Sequence, residues 1–165
     1  MARLALVALA ALLGCAGCGG GGSDGAATMP TAVAPAKSIV GHYALGGADR
    51  RVRTSITPLL ITDRRRHDVV PTPRGTRQVQ VDLRLDDRGR DRLDPQVISV
   101  SAVDDAGTVL SESFRLPPRL LEPADRAHSP RVLSVGFAVP RGRELAQLRI
   151  ASILDALPVR LRWAL

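Results

Sequence analysis

Residues 77–85 read RQVQVDLRL, and the reading of this stretch decides the fold class. Val79, Val81, Leu83 and Leu85 alternate with Gln78, Gln80, Asp82 and Arg84. Wound as a helix, the four apolar residues would scatter around the circumference. Extended, they share one face and can all press against a core, with the polar set on the other side. The stretch is a strand.

Outward from it, the same period of two recurs between turn residues. Val52 to Ile61 carries an earlier strand, in which Pro58 predicts an edge or a break. Gln96 to Val103 (QVISVSAV) is short and rich in β-branched residues, and the turn Asp104-Asp105-Ala106-Gly107 leads from it into Thr108 to Phe114 as a hairpin. Arg131 to Val139 (RVLSVGFAV) turns Leu133, Val135, Phe137 and Val139 inward and stops at Pro140. Leu145 to Ile150 and Val159 to Trp163 close the chain, with Val159, Leu161 and Trp163 facing in and Arg160 and Arg162 facing out. Glu144 to Leu157 also reads as a short helix, because Leu145, Leu148 and Ile150 do not alternate cleanly. Seven strands in about 115 residues match a small β-sandwich. No internal repeat is visible.

The chain of 165 residues has room for one domain of about 100–150 residues plus appendages. With 45% apolar residues, collagen-like, coiled-coil and multi-domain organisations are excluded and a wholly disordered chain is disfavoured. The net charge is +7, from 23 basic and 16 acidic residues, and Lys37 is the only lysine. Arginine is spread along the whole chain, as GC-rich codon usage would spread it; selection for guanidinium chemistry is the other reading. A basic balance favours anionic neighbours: lipid head groups, envelope polymers or nucleic acid.

The beginning of the chain narrows that choice. Residues 1–14, MARLALVALAALLG, place one arginine before an apolar run from Leu4 to Leu13 and a small residue after it. This is the layout of a secretory signal peptide, and the run is half of the roughly 20 residues that span a bilayer. Export makes nucleic acid a poor partner. Residues 16–37, AGCGGGGSDGAATMPTAVAPAK, cannot bury enough apolar surface to order themselves and read as a flexible linker. A coil of that length has an end-to-end distance of roughly 25 Å. The glycines follow a leader and not a strand, so no phosphate-cradling loop is implied. The expected organisation is a signal peptide over 1–14, a cysteine and linker over 15–37, and a globular domain over 38–165.

Leu12-Leu13-Gly14-Cys15 resembles the lipobox of bacterial lipoproteins, with Leu13 in a position where alanine or serine is commoner. The resemblance implies a diacylglyceryl group on the Cys15 sulfur, cleavage before Cys15, and acylation of the new amino terminus. Two or three acyl chains anchor a protein stably, each buried CH₂ contributing about 0.8 kcal/mol. The implied location is the extracytoplasmic face of a cell membrane. Cys18 is the only other cysteine, so the domain can hold no internal disulfide.

The domain itself resembles the telokin-like immunoglobulin domain of bacterial lipoproteins, a family without an assigned activity. Arg53-Thr-Ser-Ile56 is similar to its opening strand, and Pro73-Arg-Gly75 before Val79 to its proline-glycine turn and valine-rich strand. Val100-Ser-Ala-Val-Asp-Asp-Ala-Gly107 and Phe137-Ala-Val-Pro140 are similar to two later elements. Asp86 and Asp87 stand where that family often has asparagine. The resemblance implies an all-β, immunoglobulin-like sandwich and carries over no catalytic residue.

Candidates for chemistry are few. Asp86, Asp87, Asp91 and Asp94 form an acidic loop that invites Ca²⁺, but three arginines interleave them and the spacing departs from an EF-hand; local Asp–Arg pairing on a solvated loop is the plainer account. Asp125, His128 and Ser129 supply the residue types of a hydrolytic triad, yet adjacent side chains on an extended segment point apart and no nucleophile elbow is present. His42, His67 and His128 lack zinc-ligand spacing. Arg64, Arg65 and Arg66, followed by His67, form the densest basic run and the candidate anionic-contact patch. Neither a metal nor a cofactor is expected. The expected function is a lipid-anchored, non-catalytic binding module contacting an envelope protein or anionic polymer. The alternatives are a secreted hydrolase using the Asp125/His128/Ser129 region and a carrier of a hydrophobic envelope molecule.

Overall fold

The computed structural model describes residues 27–28, 35–64, 70–121, 129–157 and 159–165. Among these, ten strands follow in order: β1 (Ala27–Thr28), β2 (Lys37–Leu45), β3 (Ala48–Arg64), β4 (Thr76–Asp87), β5 (Ile98–Asp104), β6 (Val109–Arg115), β7 (Arg119–Leu120), β8 (Arg131–Pro140), β9 (Leu145–Ser152) and β10 (Arg160–Ala164). The only helical element among the described residues is a 3₁₀ turn, Pro95–Val97, capped by the Asp94 carboxylate. The fold is all-β and antiparallel throughout its named strands.

Alternation in β4 and β8 builds the centre. Val79, Val81, Leu83 and Leu85 are at most 1% exposed, and Leu133, Val135, Phe137 and Val139 are fully buried. The register sets Val79 opposite Phe137, Val81 opposite Val135 and Leu83 opposite Leu133, so both inward rows meet in one core. Burying such a side chain stabilises the fold by roughly 1.5–3 kcal/mol relative to leaving it exposed. Gly136, on the opposite face of β8, has a cross-strand partner in Phe114. A Cβ there would lie 1.9 Å from the Phe114 ring, so this strand position admits no side chain.

Strand β3 is longer than expected, and Pro58 does not end it. β2 pairs with β3 as far as Ile56, and β1 takes up the same edge at Ile61. Pro58 sits in the gap between them, where no strand needs its missing N–H, and the β3–β4 register shifts there. Strand β2 had no counterpart in the sequence reading. It turns Ile39 and Tyr43 into the core and joins β3 through Gly46 and Gly47, at φ 64° and 82°, the conformation of a tight hairpin. Burial pushes the Tyr43 phenol above its ordinary range, and its oxygen accepts the Asp94 N–H at 2.9 Å.

The hydrogen-bonded path runs without interruption through β3, β4, β8, β6, β5, β9 and β10. Strand β6 makes this possible. Its first half pairs with β5 and its second with β8, with a register shift between Glu112 and Phe114. Leu145 to Ile150 is a strand and not a helix. Its imperfect alternation comes from a register shift opposite Val103 and Asp104, which leaves Ala146 as the extra residue. The far ends then approach one another. Lys37 Nζ donates to the Arg162 carbonyl and lies 5.4 Å from the Trp163 ring centre, while Trp163 Nε1 donates to the Pro35 carbonyl at 3.1 Å. The sheet curls nearly into a barrel, closed along one seam by side chains.

Tyr43 is the only tyrosine of the chain, so ultraviolet absorbance near 295 nm titrates it alone. Its midpoint is expected above 10.0 in the folded protein. Because the neutral phenol is favoured in the fold, this contribution is complete below the unfolded pKa of about 10 and is lost as pH rises through the folded value. Tyr43→Phe is expected to abolish the absorbance step.

Candidate functional site

The polar groups of the domain concentrate where β3, β4 and β8 meet the loop after β4. Asp87 lies on the inward row that begins with Leu83 and Leu85, Thr54 lies between Val52 and Ile56 on β3, and Arg131 precedes Leu133 on β8. All three therefore project to the core side of the sheet. The Asp87 carboxylate is 1% exposed and accepts four hydrogen bonds: from Thr54 Oγ1 at 2.7 Å, the Leu93 N–H at 3.2 Å, Arg131 Nε at 3.0 Å and Arg131 Nη2 at 2.7 Å. Arg131 Nη2 also donates to the Leu93 carbonyl at 2.8 Å. A buried ion pair is tolerable only when its remaining donors and acceptors are met in this way.

The other loop carboxylates are likewise held. Both oxygens of Asp86 accept from Arg84 Nε at 3.0 Å. Asp91 Oδ2 accepts the Arg51 N–H at 2.9 Å, and Asp94 Oδ1 accepts the Gln96 N–H at 2.9 Å. Asp–Arg pairing thus accounts for Asp86 and Asp87, although the partner of Asp87 is 44 residues away and the pair is buried, not solvated. Among the described residues no three histidine, cysteine or acidic side chains cluster as a metal site.

A second polar cluster secures the bend of β6. Glu112 accepts the Val100 N–H at 2.7 Å and Arg115 Nε at 2.8 Å, and Arg115 donates further to the carbonyls of Pro95 and Ile98. Near the rim of β4, Arg77 bridges Asp63 and Glu144. Burial works against its charge, yet these two carboxylates outweigh it and hold the guanidinium above its usual range. Among the described residues, depressions open at loop ends. One of about 540 Å³ lies beside Ser152, Asp155 and Arg160, and one of about 310 Å³ lies between Pro95 and Leu116–Pro118.

The expected site residues are only partly within the structure. Cys15, Cys18, Arg65, Arg66, His67, Asp125 and His128 lie outside the described residues. Arg64 is the last residue of β3, opposite Gln78. Ser129 is 2% exposed and its hydroxyl has no hydrogen-bond partner among the described residues, so the nucleophile of the hydrolase alternative is withdrawn from solvent. His42 is exposed and its Nδ1 lies 2.9 Å from Asp49, whose pKa it lowers by that hydrogen bond. Among the described residues no helix is long and apolar enough to cross a membrane. No protein family, curated protein or solved structure matches this chain.

The Asp87 cluster escaped the sequence reading, which took its carboxylate for part of a solvated loop. The period of two, extended past Leu85, was the signal that points it inward. Removing one partner leaves a buried charge alone, so Asp87→Ala is expected to destabilise the domain by about 3–5 kcal/mol in urea unfolding. In a double-mutant cycle with Arg131→Met, the pair is expected to cost much less than the sum of the single variants.

Proposed function

We propose that this chain is a non-catalytic binding module of a bacterial cell envelope, held on the extracytoplasmic face of a membrane by lipid on Cys15. The observation that carries the reading is Leu12-Leu13-Gly14-Cys15 immediately behind the apolar run Leu4 to Leu13. The domain is consistent with a contact role. Its loop carboxylates are engaged by partners within the protein, which leaves strand edges and outward arginines as the features offered to a partner.

The finer fold under this proposal is an immunoglobulin-like sandwich of the telokin-like lipoprotein type. Two groups of strands, β2-β3-β4-β8 and β5-β9-β10, bury apolar residues in a common core, which supports it. The continuous path through β6 is the feature on which a solved structure decides. The partner under this reading is an envelope protein or an anionic polymer, and the candidate patch of Arg64, Arg65 and Arg66 belongs to it.

Intact-mass measurement of the protein from a membrane fraction tests the anchor. The wild type is expected to lack residues 1–14 and to carry the added mass of a diacylglyceryl group with or without a further acyl chain. Cys15→Ser is expected to lose that mass and to leave the membrane pellet. Wild-type protein recovered with its leader intact and no added mass would overturn the proposal.

A further inference from the structure

The loop singled out in the sequence for its acids presents the opposite charge once folded. Its carboxylates are engaged by other groups of the protein, as described above, while Arg88 and Arg90 remain exposed. The loop lies flush along β3. The Arg88 N–H donates to the Arg53 carbonyl at 2.7 Å, and the Asp91 N–H to the Arg51 carbonyl at 3.0 Å. Gly89 allows this approach, since a Cβ there would come within 2.5 Å of the Arg53 nitrogen. Arg51 and Arg53 are themselves exposed, on the outward face of β3 between the inward Val52 and Thr54, about 7 Å apart along the strand. Four guanidinium groups from two chain segments thus share one stretch of surface, and none of them forms an ion pair among the described residues. The neighbouring acids have other direct partners: Asp49 bonds His42, with Arg51 acting on it only at longer range, Asp86 pairs with Arg84, and Asp91 accepts a backbone N–H.

We infer that Arg51, Arg53, Arg88 and Arg90 form a docking face for an anionic phospholipid membrane. Guanidinium groups match phosphate oxygens in pairs, and several of them on one exposed face act together on a surface that repeats the same charge. The chain's aromatic residues lie away from this face: Tyr43, Phe114, Phe137 and Trp163 are all buried. It therefore lacks the stacking platform that single-stranded nucleic acid requires. This inference does not depend on lipid at Cys15.

The test uses the full chain carrying Cys15→Ser, so that no acyl group contributes. It is sedimented with vesicles of phosphatidylcholine alone, or of phosphatidylcholine and phosphatidylglycerol in equal parts, at low salt. Each basic residue near an anionic surface strengthens association roughly fivefold. Replacing Arg51, Arg53, Arg88 and Arg90 together by serine is expected to weaken binding to the anionic vesicles by at least about tenfold. A control in which Arg74, Arg141, Arg160 and Arg162 become serine loses the same charge elsewhere and is expected to keep most of the binding. The loop pair R88S/R90S, which leaves the strands untouched, is expected to give an intermediate loss even if the fourfold variant folds poorly. The leader, with Arg3 and its apolar run, is the same in every variant, so whatever it adds cancels between the patch and control variants. Equal losses in the patch and control variants, or no preference for anionic vesicles, would overturn the inference. So would a single-stranded oligonucleotide that binds more tightly than the vesicles and depends on the same four arginines.

Discussion

One buried carboxylate fixes the centre of the domain. Asp87 closes β4, faces Thr54 of β3 and Arg131 of β8, and takes the N–H of Leu93 from the loop that follows. Each contact spans a different pair of elements, so the group defines where three strands and a loop lie relative to one another. With no disulfide available to the domain, that role falls to a hydrogen-bonded charge pair and the apolar rows beside it. Such a pair is worth little as net stability and much as a constraint, because any arrangement that separates Asp87 from Arg131 inside the core strands a charge.

The second constraint is the bend of β6. A strand that pairs first with β5 and then with β8 must shift its register, and the shift exposes backbone groups that need partners. Glu112 and Arg115 supply them, reaching Val100, Pro95 and Ile98. Phe114 meanwhile lies over Gly136, filling on β8 the space a side chain would otherwise take. The result is a sheet that curls on itself, so that Trp163 and Lys37, from opposite ends of the domain, meet across the seam.

Charge on the surface follows from the same packing. An acidic loop is an ambiguous object in sequence, since its carboxylates and arginines alternate and either set can face water. Here the core claims Asp87, the backbone claims Asp91 and Asp94, and a neighbouring arginine claims Asp86. The arginines are what remains outside. Composition leaves the loop as aspartates and arginines paired in solvent, whereas the fold sets the exposed Arg88 and Arg90 beside Arg51 and Arg53.

Local sequence alone determined the all-β class, the inward rows of β4, β8 and β10, and the turn at Asp104–Gly107, because a period of two and a turn composition are properties of neighbouring residues. It also implied an exported, anchored chain through the apolar leader and Cys15. It did not reveal β2, whose Gly41 and wide spacing between Ile39 and Tyr43 blur the alternation, nor the passage of β3 through Pro58, which is harmless only because no strand pairs at that edge. The pairing of Asp87 with Arg131, the bend at β6 and the direction in which the acidic loop faces belong to the tertiary structure. Each depends on which distant backbone lies alongside, and that is decided by how the apolar rows close on one another, not by any stretch of chain read on its own.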